Sequence, residues 1–319
     1  MKILVAGGAG YIGSVMIPKL LERGYDVDVI DLFWFGNHLP KEVGVINKNI
    51  FDLEENDVKG YETVIFLGGL SNDPMAEFSP AENFISNGSA PPFLAYTAKK
   101  AGVKRFIYAG SCSVYGYTVN ELYDEESPAV SNYPYGISKL QGENAIMQMK
   151  DKNFSVIALR QGTVSGYSPR MRLDLVVNTM FKFALVNGEI TVNNPAIWRP
   201  ILAIQDAATA YIRAIEANED ISGVFNVASG NYTVGEIGDL VKSGVKKYLD
   251  RDVKLTIKHI QDYRNYKVSI DKAKKVLSFH PQHDVETIIR ELVENREKFK
   301  DFDNPNYYNI QVFKGISKK

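Results

Sequence analysis

Tyr135 and Lys139 stand four residues apart in YGISK, a spacing that places both side chains on one face of a helix. A free tyrosine phenol has a pKa of about 10 and is a poor base at neutral pH. A neighbouring ammonium favours the phenolate and lowers that pKa. Ser111 lies 24 residues before Tyr135, in SCSVYG, where its hydroxyl could bind a substrate alcohol. The three residue types predict a general base, its activating cation and a substrate-binding hydroxyl.

A glycine loop near the start of the chain, GGAGYIG at 7–13, lies between an apolar strand at 2–6 and a helical segment at 14–25. Gly7 allows a tight turn, Gly10 lets the backbone approach a pyrophosphate, and Gly13 lets the helix pack closely on the strand. Phosphates would then lie at the positive N-terminus of the helix. This order of elements predicts a dinucleotide-binding loop.

An acidic residue, Asp31, ends the second predicted strand at 26–31, 18 positions after Gly13. A carboxylate there can accept hydrogen bonds from both adenosine ribose hydroxyls and would repel a 2′-phosphate, which predicts NAD rather than NADP. Asp52 follows a third strand and is placed either to touch the adenine or to cap a turn. The residues expected to contact NAD are Gly7, Gly10, Tyr11, Ile12, Gly13, Asp31, Ile50, Asp52, Leu67, Tyr135 and Lys139.

Strand-like and helical segments alternate along the first half of the chain. The further strands are expected at 44–50, 63–69, 105–111 and 155–160, and the further helices at 90–102 and 133–150. This alternation predicts an α/β fold, a Rossmann doubly wound parallel sheet with helices on both faces.

The alternation breaks down at 165–200, where a smaller C-terminal substrate-binding lobe is expected to begin. We predict a Rossmann domain at 1–165, with 202–228 returning to it as a helix and a strand. The lobe would comprise 166–201 and 229–319. The tail at 301–319 shows no periodicity and is expected to wrap the surface or be partly disordered.

The composition excludes several classes of protein. With 37 Lys and Arg against 38 Asp and Glu, the net charge of -1 indicates neither nucleic-acid nor membrane binding. A single cysteine, Cys112, leaves no intrachain disulfide, so a cytoplasmic location is expected. No apolar run approaches the ~20 residues of a membrane span. The four histidines make no zinc framework with one cysteine, and His280 and His283 are expected on the solvated surface.

Together, GGAGYIG, SCSVYG and YGISK resemble, in order, three signatures of the extended short-chain dehydrogenase/reductases that act on nucleotide sugars, the NAD-dependent epimerase/dehydratase group. The likeness covers about residues 1–295, and WRPILAIQDAATAYIRAIE resembles the family's segment near the nucleotide diphosphate. It implies a catalytic triad of Ser111, Tyr135 and Lys139, NAD as cofactor, a nucleotide-diphosphate sugar as substrate and a homodimer formed through two helices of each subunit.

The same resemblance suggests the residues that bind the substrate. Arg199 matches the family's diphosphate-contacting arginine, and Asn178 resembles an asparagine that touches the same diphosphate. A guanidinium suits phosphate oxygens, so arginines of the lobe join this set. The full set is Ser71, Asn72, Cys112, Ser113, Thr163, Arg170, Arg172, Asn178, Arg199 and Arg264. For each arginine, a solvated surface cation is the alternative.

Departures from the family narrow the expected reaction. The 4,6-dehydratases carry an Asp-Glu pair directly after the catalytic Ser or Thr, where this chain has Cys112 and Ser113. Neither is a carboxylic acid, and a small buried cysteine is the plain alternative to an acid or base there. Thr163 stands where the family usually has Asn.

We therefore expect NAD-dependent oxidation of a nucleotide-linked sugar at C4, by a 4-epimerase or by a 4-dehydrogenase such as the GDP-heptose type. SNDP and RQGTVSGYSPRMRLD resemble relatives that make capsule or antibiotic sugars, which suggests surface-polysaccharide or glycoside biosynthesis. A 4,6-dehydratase with atypical acid and base residues is the alternative reaction. A non-catalytic NAD-binding regulator is the alternative class, but such proteins usually lose the Tyr/Lys pair that this chain keeps.

Overall fold

The computed structural model describes residues 1–259 and 265–317, without the side chains of 118–120. Its strands are β1 (Lys2–Ala6), β2 (Asp26–Ile30), β3 (Gly44–Ile46), β4 (Thr63–Phe66), β5 (Arg105–Ser111), β6 (Tyr117–Tyr123), β7 (Ser155–Gln161), β8 (Thr163–Ser165), β9 (Glu189–Asn193), β10 (Trp198–Ala203), β11 (Gly223–Val227), β12 (Gly230–Thr233), β13 (Lys254–Lys258) and β14 (Asn265–Val268).

The α-helices of the same residues are α1 (Gly13–Glu22), α2 (Glu55–Val58), α3 (Asp73–Phe78), α4 (Pro80–Phe84), α5 (Ala90–Lys100), α6 (Pro134–Met147), α7 (Val176–Asn187), α8 (Ile204–Glu216), α9 (Val234–Leu249), α10 (Asp271–Leu277), α11 (Val285–Asn295) and α12 (Asn309–Ile316). A π-helical turn at Ile85–Ser89 leads into α5, and 3₁₀ turns lie at Ile50–Asp52, Cys112–Tyr115, Arg296–Phe299 and Pro305–Tyr307.

The central sheet has seven strands in the order β11-β7-β5-β4-β1-β2-β3, and every adjacent pair is parallel. The chain progresses outward from β1 in both directions, so the strand order reverses between β1 and β4. In open parallel sheets this reversal leaves a crevice at the carboxyl ends of the strands, where ligands bind. The predicted doubly wound α/β fold is confirmed.

Burial explains why these segments form a parallel sheet. Residues of β1 alternate between two buried clusters: Ile3 packs with Met16 of α1 and Tyr211 of α8. Leu4 faces the opposite way and packs with Leu94 of α5. Side chains alternate across a strand, so an apolar run covers both faces of a sheet that has helices on either side.

A third large cluster lies apart from the sheet and gathers side chains of α7, α9 and α11, among them Phe181, Val241 and Leu292. The predicted partition of the chain into domains stays a prediction. β9 and β13 form a separate two-stranded parallel sheet.

Two expectations about the C-terminal third differ from the structure. The tail is not without regular structure, because α12 forms at 309–316 and buries Phe313. His283 is only partly exposed, and its Nδ1 lies 2.7 Å from Oδ1 of the buried Asp206. The residues that Phe313 and His283 contact are far away in the sequence, so local pattern could not predict either contact.

Candidate active site

The glycine loop connects β1 to α1 and has almost no space for side chains. Gly7 has φ +77°, and a Cβ there would lie 2.5 Å from the backbone N of Gly68. A Cβ on Gly13 would lie 2.0 Å from the carbonyl oxygen of Gly8. Only glycine fits either position. The resulting cradle, at a helix N-terminus, fits the pyrophosphate of a dinucleotide.

Asp31 follows β2 directly and braces the glycine loop. Its Oδ2 accepts a hydrogen bond from the N–H of Ala9 at 3.0 Å, and its Oδ1 accepts one from the N–H of Phe33 at 2.8 Å. Burial raises the pKa of Asp31, and these backbone hydrogen bonds act in the opposite direction. A carboxylate at the carboxyl edge of the sheet can accept hydrogen bonds from ribose hydroxyls. Asp31 therefore fits the adenosine half of NAD.

Other predicted cofactor residues lie along the same edge of the sheet. Leu67 follows β4, with its N–H bonded to the carbonyl of Ala6 at 2.8 Å. Ile50 and Asp52 form a 3₁₀ turn after β3, with the Asp52 side chain exposed. In the loop itself, Tyr11 is buried and Ile12 precedes α1. Their contacts with NAD stay predictions.

The predicted catalytic residues meet where β5 ends and α6 begins. Ser111 is the last residue of β5, and Tyr135 lies in the first turn of α6. Burial raises the pKa of Tyr135, while its hydrogen bond with Ser111 and the charge of Arg172 act to lower it. The structure thus brings the hydroxyl and the phenol together.

Lys139 lies one helical turn beyond Tyr135 and is buried. Its Nζ donates a hydrogen bond to the carbonyl of Ala109 at 3.1 Å and lies 6.0 Å from the centre of the Tyr135 ring. Burial lowers the pKa of Lys139 to about 7. An ammonium in this position favours the phenolate of Tyr135.

The two residues after Ser111 do not supply a carboxylic acid. Cys112 is fully buried, its Sγ donates a hydrogen bond to the carbonyl of Arg160 at 3.1 Å, and burial raises the pKa of its thiol. Ser113 Oγ lies 2.8 Å from Ser111 Oγ. Cys112 therefore packs in the interior, while Ser113 extends the hydroxyl pair at the strand end.

A polar network connects the loop after β4 to the segment before α7. Asn72 Nδ2 donates to Asp174 Oδ2 at 3.0 Å, and Arg172 holds the same carboxylate with Nε at 2.8 Å and Nη2 at 3.1 Å. Asn309 Nδ2 donates to Ser71 Oγ at 2.6 Å. Three of these five residues were predicted to bind the substrate, and the other two, Asp174 and Asn309, were missed.

The signals for those two residues differ. Asp174 could have been found as the carboxylate two positions after Arg172. No local pattern marks Asn309, because its partners lie 238 and 139 residues away.

Asn178, predicted to touch a diphosphate, is fully buried and joins α7 to the glycine loop. Its Nδ2 donates to Tyr11 Oη at 3.1 Å and to the carbonyl of Arg172 at 2.8 Å, and its Oδ1 accepts from Gly166 N at 3.0 Å. The structure thus gives its amide a set of protein partners, and the diphosphate contact stays a prediction.

The remaining predicted substrate residues lie on or beside β8 and β10. Thr163 begins β8 and pairs with Ile201 of β10. Arg199 lies on β10, with its guanidinium 5.7 Å from the centre of the Tyr266 ring. Arg170 is buried against Phe35. Arg264 lies outside the described residues.

Comparison with known proteins decides the family. The model of the NAD dependent epimerase/dehydratase family matches residues 3–228. This chain belongs to that family. NAD is its cofactor, and the chain is an enzyme that acts on nucleotide sugars rather than a non-catalytic regulator.

Individual relatives agree with this assignment. The UDP-glucose 4-epimerase of Corynebacterium glutamicum is 27% identical, over 91% of this chain and 94% of its own length. The structure of UDP-glucose 4-epimerase from Thermotoga maritima with UDP-glucose is 26% identical with a TM-score of 0.83, covering 93% of this chain and 99% of that one. MoeE5, in complex with UDP-glucuronic acid and NAD, shares the fold with a TM-score of 0.81 at 23% identity, over 93% of this chain and 99% of that one.

Two further findings concern the described part of the chain. No helix there is long and apolar enough to cross a membrane. The same residues hold no group of three or more His, Cys, Asp and Glu arranged to bind a metal ion.

Proposed function

We propose that this protein is a 4-epimerase of a UDP-linked sugar, which oxidises the C4 hydroxyl and reduces the resulting ketone from the opposite face. The observation that carries the proposal is the position of Ser111, at the end of β5, beside Tyr135, in the first turn of α6, with Lys139 buried one helical turn further on. The relatives named above as UDP-glucose 4-epimerases support both the reaction and the nucleotide.

The chain's own residues would move one proton. Ser111 Oγ holds the C4 hydroxyl in line with Tyr135, whose oxygen accepts the proton as the C4–H bond breaks. NAD held by the glycine loop and Asp31 would supply the hydride acceptor for the oxidation and the hydride donor for the reduction. Lys139 stabilises the negative charge on the phenolate. When the ketone is reduced, Tyr135 returns the proton to the oxygen at C4.

The surroundings of Cys112 support oxidation without loss of water. Dehydration needs an acid that protonates the leaving hydroxyl, and a buried thiol bonded to the carbonyl of Arg160 presents no acidic proton to the crevice. Ser113 is also no acid at neutral pH. A 4-dehydrogenase such as the GDP-heptose type would use the same proton transfer but would release the ketone and leave the hydride on the cofactor as NADH.

Product analysis separates these reactions. The purified protein is incubated with UDP-glucose, UDP-galactose, UDP-glucuronic acid, UDP-N-acetylglucosamine and a GDP-heptose, and the products are followed by NMR, mass spectrometry and NADH absorbance. A C4 epimer of unchanged mass, without net NADH, is expected from a UDP-sugar. Stoichiometric NADH with a 4-keto product would show a dehydrogenase, and loss of water would show a dehydratase; either would refute the proposal.

Tyr135→Phe tests the assigned base. The substitution removes only the phenolic oxygen, so turnover is expected to fall by about 10²- to 10⁴-fold, the usual contribution of a general base. A variant with full turnover would disprove the role of Tyr135. Tyr248→Phe, which alters a tyrosine of α9 whose hydroxyl donates to the exposed Glu286, is the matched control and should leave turnover unchanged.

We also propose a cytoplasmic homodimer that pairs α5 and α6 of each subunit, in surface-polysaccharide or glycoside biosynthesis. Exposed apolar side chains support this surface: Tyr96 of α5 is 54% exposed and Ile137 of α6 is 41% exposed. Leu140 and Ala145 line a shallow groove beside Ile137. Sedimentation of the wild type as a dimer and of Ile137→Asp as a monomer is expected. A monomeric wild type at micromolar concentration would disprove the interface.

A further inference from the structure

Arg170 has an unusual environment for an arginine. It lies between β8 and α7, is only 2% exposed, and its guanidinium stacks 3.6 Å from the centre of the Phe35 ring. Its Nη2 donates to Oδ1 of Asn309, at the start of α12. Among the described residues, its Nε and Nη1 have no hydrogen-bond partner. Buried N–H donors are nearly always paired, so two open donors on one guanidinium indicate a missing acceptor.

Among the described residues, Arg170 forms no ion pair. Arg172 holds the Asp174 carboxylate with two hydrogen bonds, whereas the acceptor that Arg170 meets in this part of the chain is the neutral amide oxygen of Asn309. Burial and the charge of Arg172 lower the pKa of Arg170 to about 9, and Asp174 and Asp31 act in the opposite direction. A buried cation without an ion-pair partner is costly, and an anionic ligand would remove that cost.

The position of Arg170 indicates which anion it would meet. Ser168, two residues earlier, donates its hydroxyl hydrogen bond to the carbonyl of Tyr11 at 2.8 Å, so this segment lies against the glycine loop. Phe35, on which the guanidinium stacks, follows Asp31 by four residues. Arg170 therefore lies between the loop that fits a pyrophosphate and the loop that fits an adenosine ribose.

We propose that Arg170 binds the pyrophosphate of NAD, with Nε and Nη1 facing it from the side opposite the backbone N–H groups of the glycine loop, and that Asn309 positions the guanidinium. A substrate diphosphate has the same chemistry, but the contacts to Tyr11 and Phe35 place Arg170 on the cofactor side. α12, which is remote in sequence, thereby becomes part of the cofactor site. The inference rests on NAD binding and does not depend on which sugar is turned over.

The test measures NAD and UDP binding separately, with no turnover. Isothermal titration of the cofactor-free protein with NAD, and independently with UDP, is carried out on the wild type, Arg170→Lys and Arg170→Met. Losing charge-assisted hydrogen bonds should weaken NAD binding by about 10- to 100-fold in Arg170→Met. The affinity for UDP should change less than twofold, and Arg170→Lys should recover part of the loss. Arg290→Met, which removes an exposed arginine of α11, is the matched control.

Three outcomes would overturn the proposal. A loss of UDP affinity with normal NAD affinity would assign Arg170 to the substrate. Unchanged affinity for both, in a variant with a native circular dichroism spectrum, would make the residue purely structural. If Arg170→Met does not fold, Asn309→Ala decides the matter, since it frees the guanidinium without removing it. Unchanged NAD affinity in that variant would also refute the proposal, whereas a NAD-specific loss supports it.

Discussion

Arg160 of β7 and Glu143 of α6 form a buried ion pair, with Nη2 2.6 Å from Oε1 and Nε 3.0 Å from Oε2. The pair ties the helix that carries Tyr135 and Lys139 to the strand beside Ser111. The third arm of the guanidinium, Nη1, donates to Tyr115 Oη at 2.8 Å. This ion pair, together with apolar packing, therefore fixes α6 against the sheet at the active site.

Glu143→Ala should destabilise the protein by about 3–5 kcal/mol, because the substitution leaves Arg160 charged and unpaired in the interior. Urea denaturation at pH 7 measures the effect. Glu294→Ala, which breaks the exposed pair with Arg290, is the control and should cost less than about 1 kcal/mol. An equal loss of unfolding free energy in the two variants would show that the buried pair stabilises the protein no more than the exposed one.

Lys139 should make the stability of the cofactor-free protein depend on pH. Its pKa is near 10.5 unfolded and about 7 folded, so between these values the unfolded chain binds more protons and stability rises with pH. Lys139→Met removes this penalty, and the variant should be more stable than wild type by up to roughly 5 kcal/mol near pH 6, taking about 1.4 kcal/mol per pKa unit.

The difference should shrink as the pH approaches 10, which urea denaturation at several pH values would show. Lys275→Met changes an exposed lysine of α10 and should give a small difference that does not vary with pH. If the stability difference between Lys139→Met and wild type also did not vary with pH, the lowered pKa of Lys139 would be contradicted.

Cys112 should resist thiol–disulfide exchange with added reagents in the folded protein. Its thiol is fully buried and burial raises its pKa, so little thiolate is present or accessible at pH 8. Ellman's reagent should release almost no colour from native protein and one equivalent in urea, because the chain has a single cysteine. Rapid reaction of the native protein with the reagent would show that the Cys112 thiol is accessible and would support an acid or base role for it. Cys112→Ser should retain turnover if the thiol only packs.

Asp31→Asn should weaken NAD binding by about 10- to 100-fold, the usual effect of losing hydrogen bonds to a charged group. The amide keeps one oxygen acceptor, but Ala9 and Phe33 each need one, so the loop also loses a brace. Removing the negative charge should raise the affinity for NADP relative to NAD. Titration with both cofactors measures this ratio, and an unchanged ratio would show that Asp31 does not select against the 2′-phosphate.

Local pattern was enough to predict much of the sheet and the centre of the site. The glycine loop, its flanking strand and helix, and the Tyr135–Lys139 pair each lie within a few residues, so their spacing alone relates them to a fold. Parallel strands with both faces covered also have a clear apolar signature. The strand at 105–111 was predicted with the bounds that the structure shows.

Contacts between distant segments could not be predicted in this way. The sequence around His283 gives no sign that a buried carboxylate of α8 lies beside it. The helix α12 is short, and its buried face consists chiefly of Phe313, which packs with Leu70 and Met75. Ile310, Phe313 and Ile316 recur every three residues, but this pattern covers one short helix, which is too little to stand out in a tail of irregular sequence.

The hydrogen bond between Asn309 and Ser71 spans 238 residues of sequence. Closing a loop of this length costs conformational entropy, which the tertiary contacts of α12 must offset. If NAD contacts Arg170, which Asn309 holds, the cofactor binds better when α12 is docked than when it is detached. Added NAD would then stabilise the docked state of the C-terminal helix selectively.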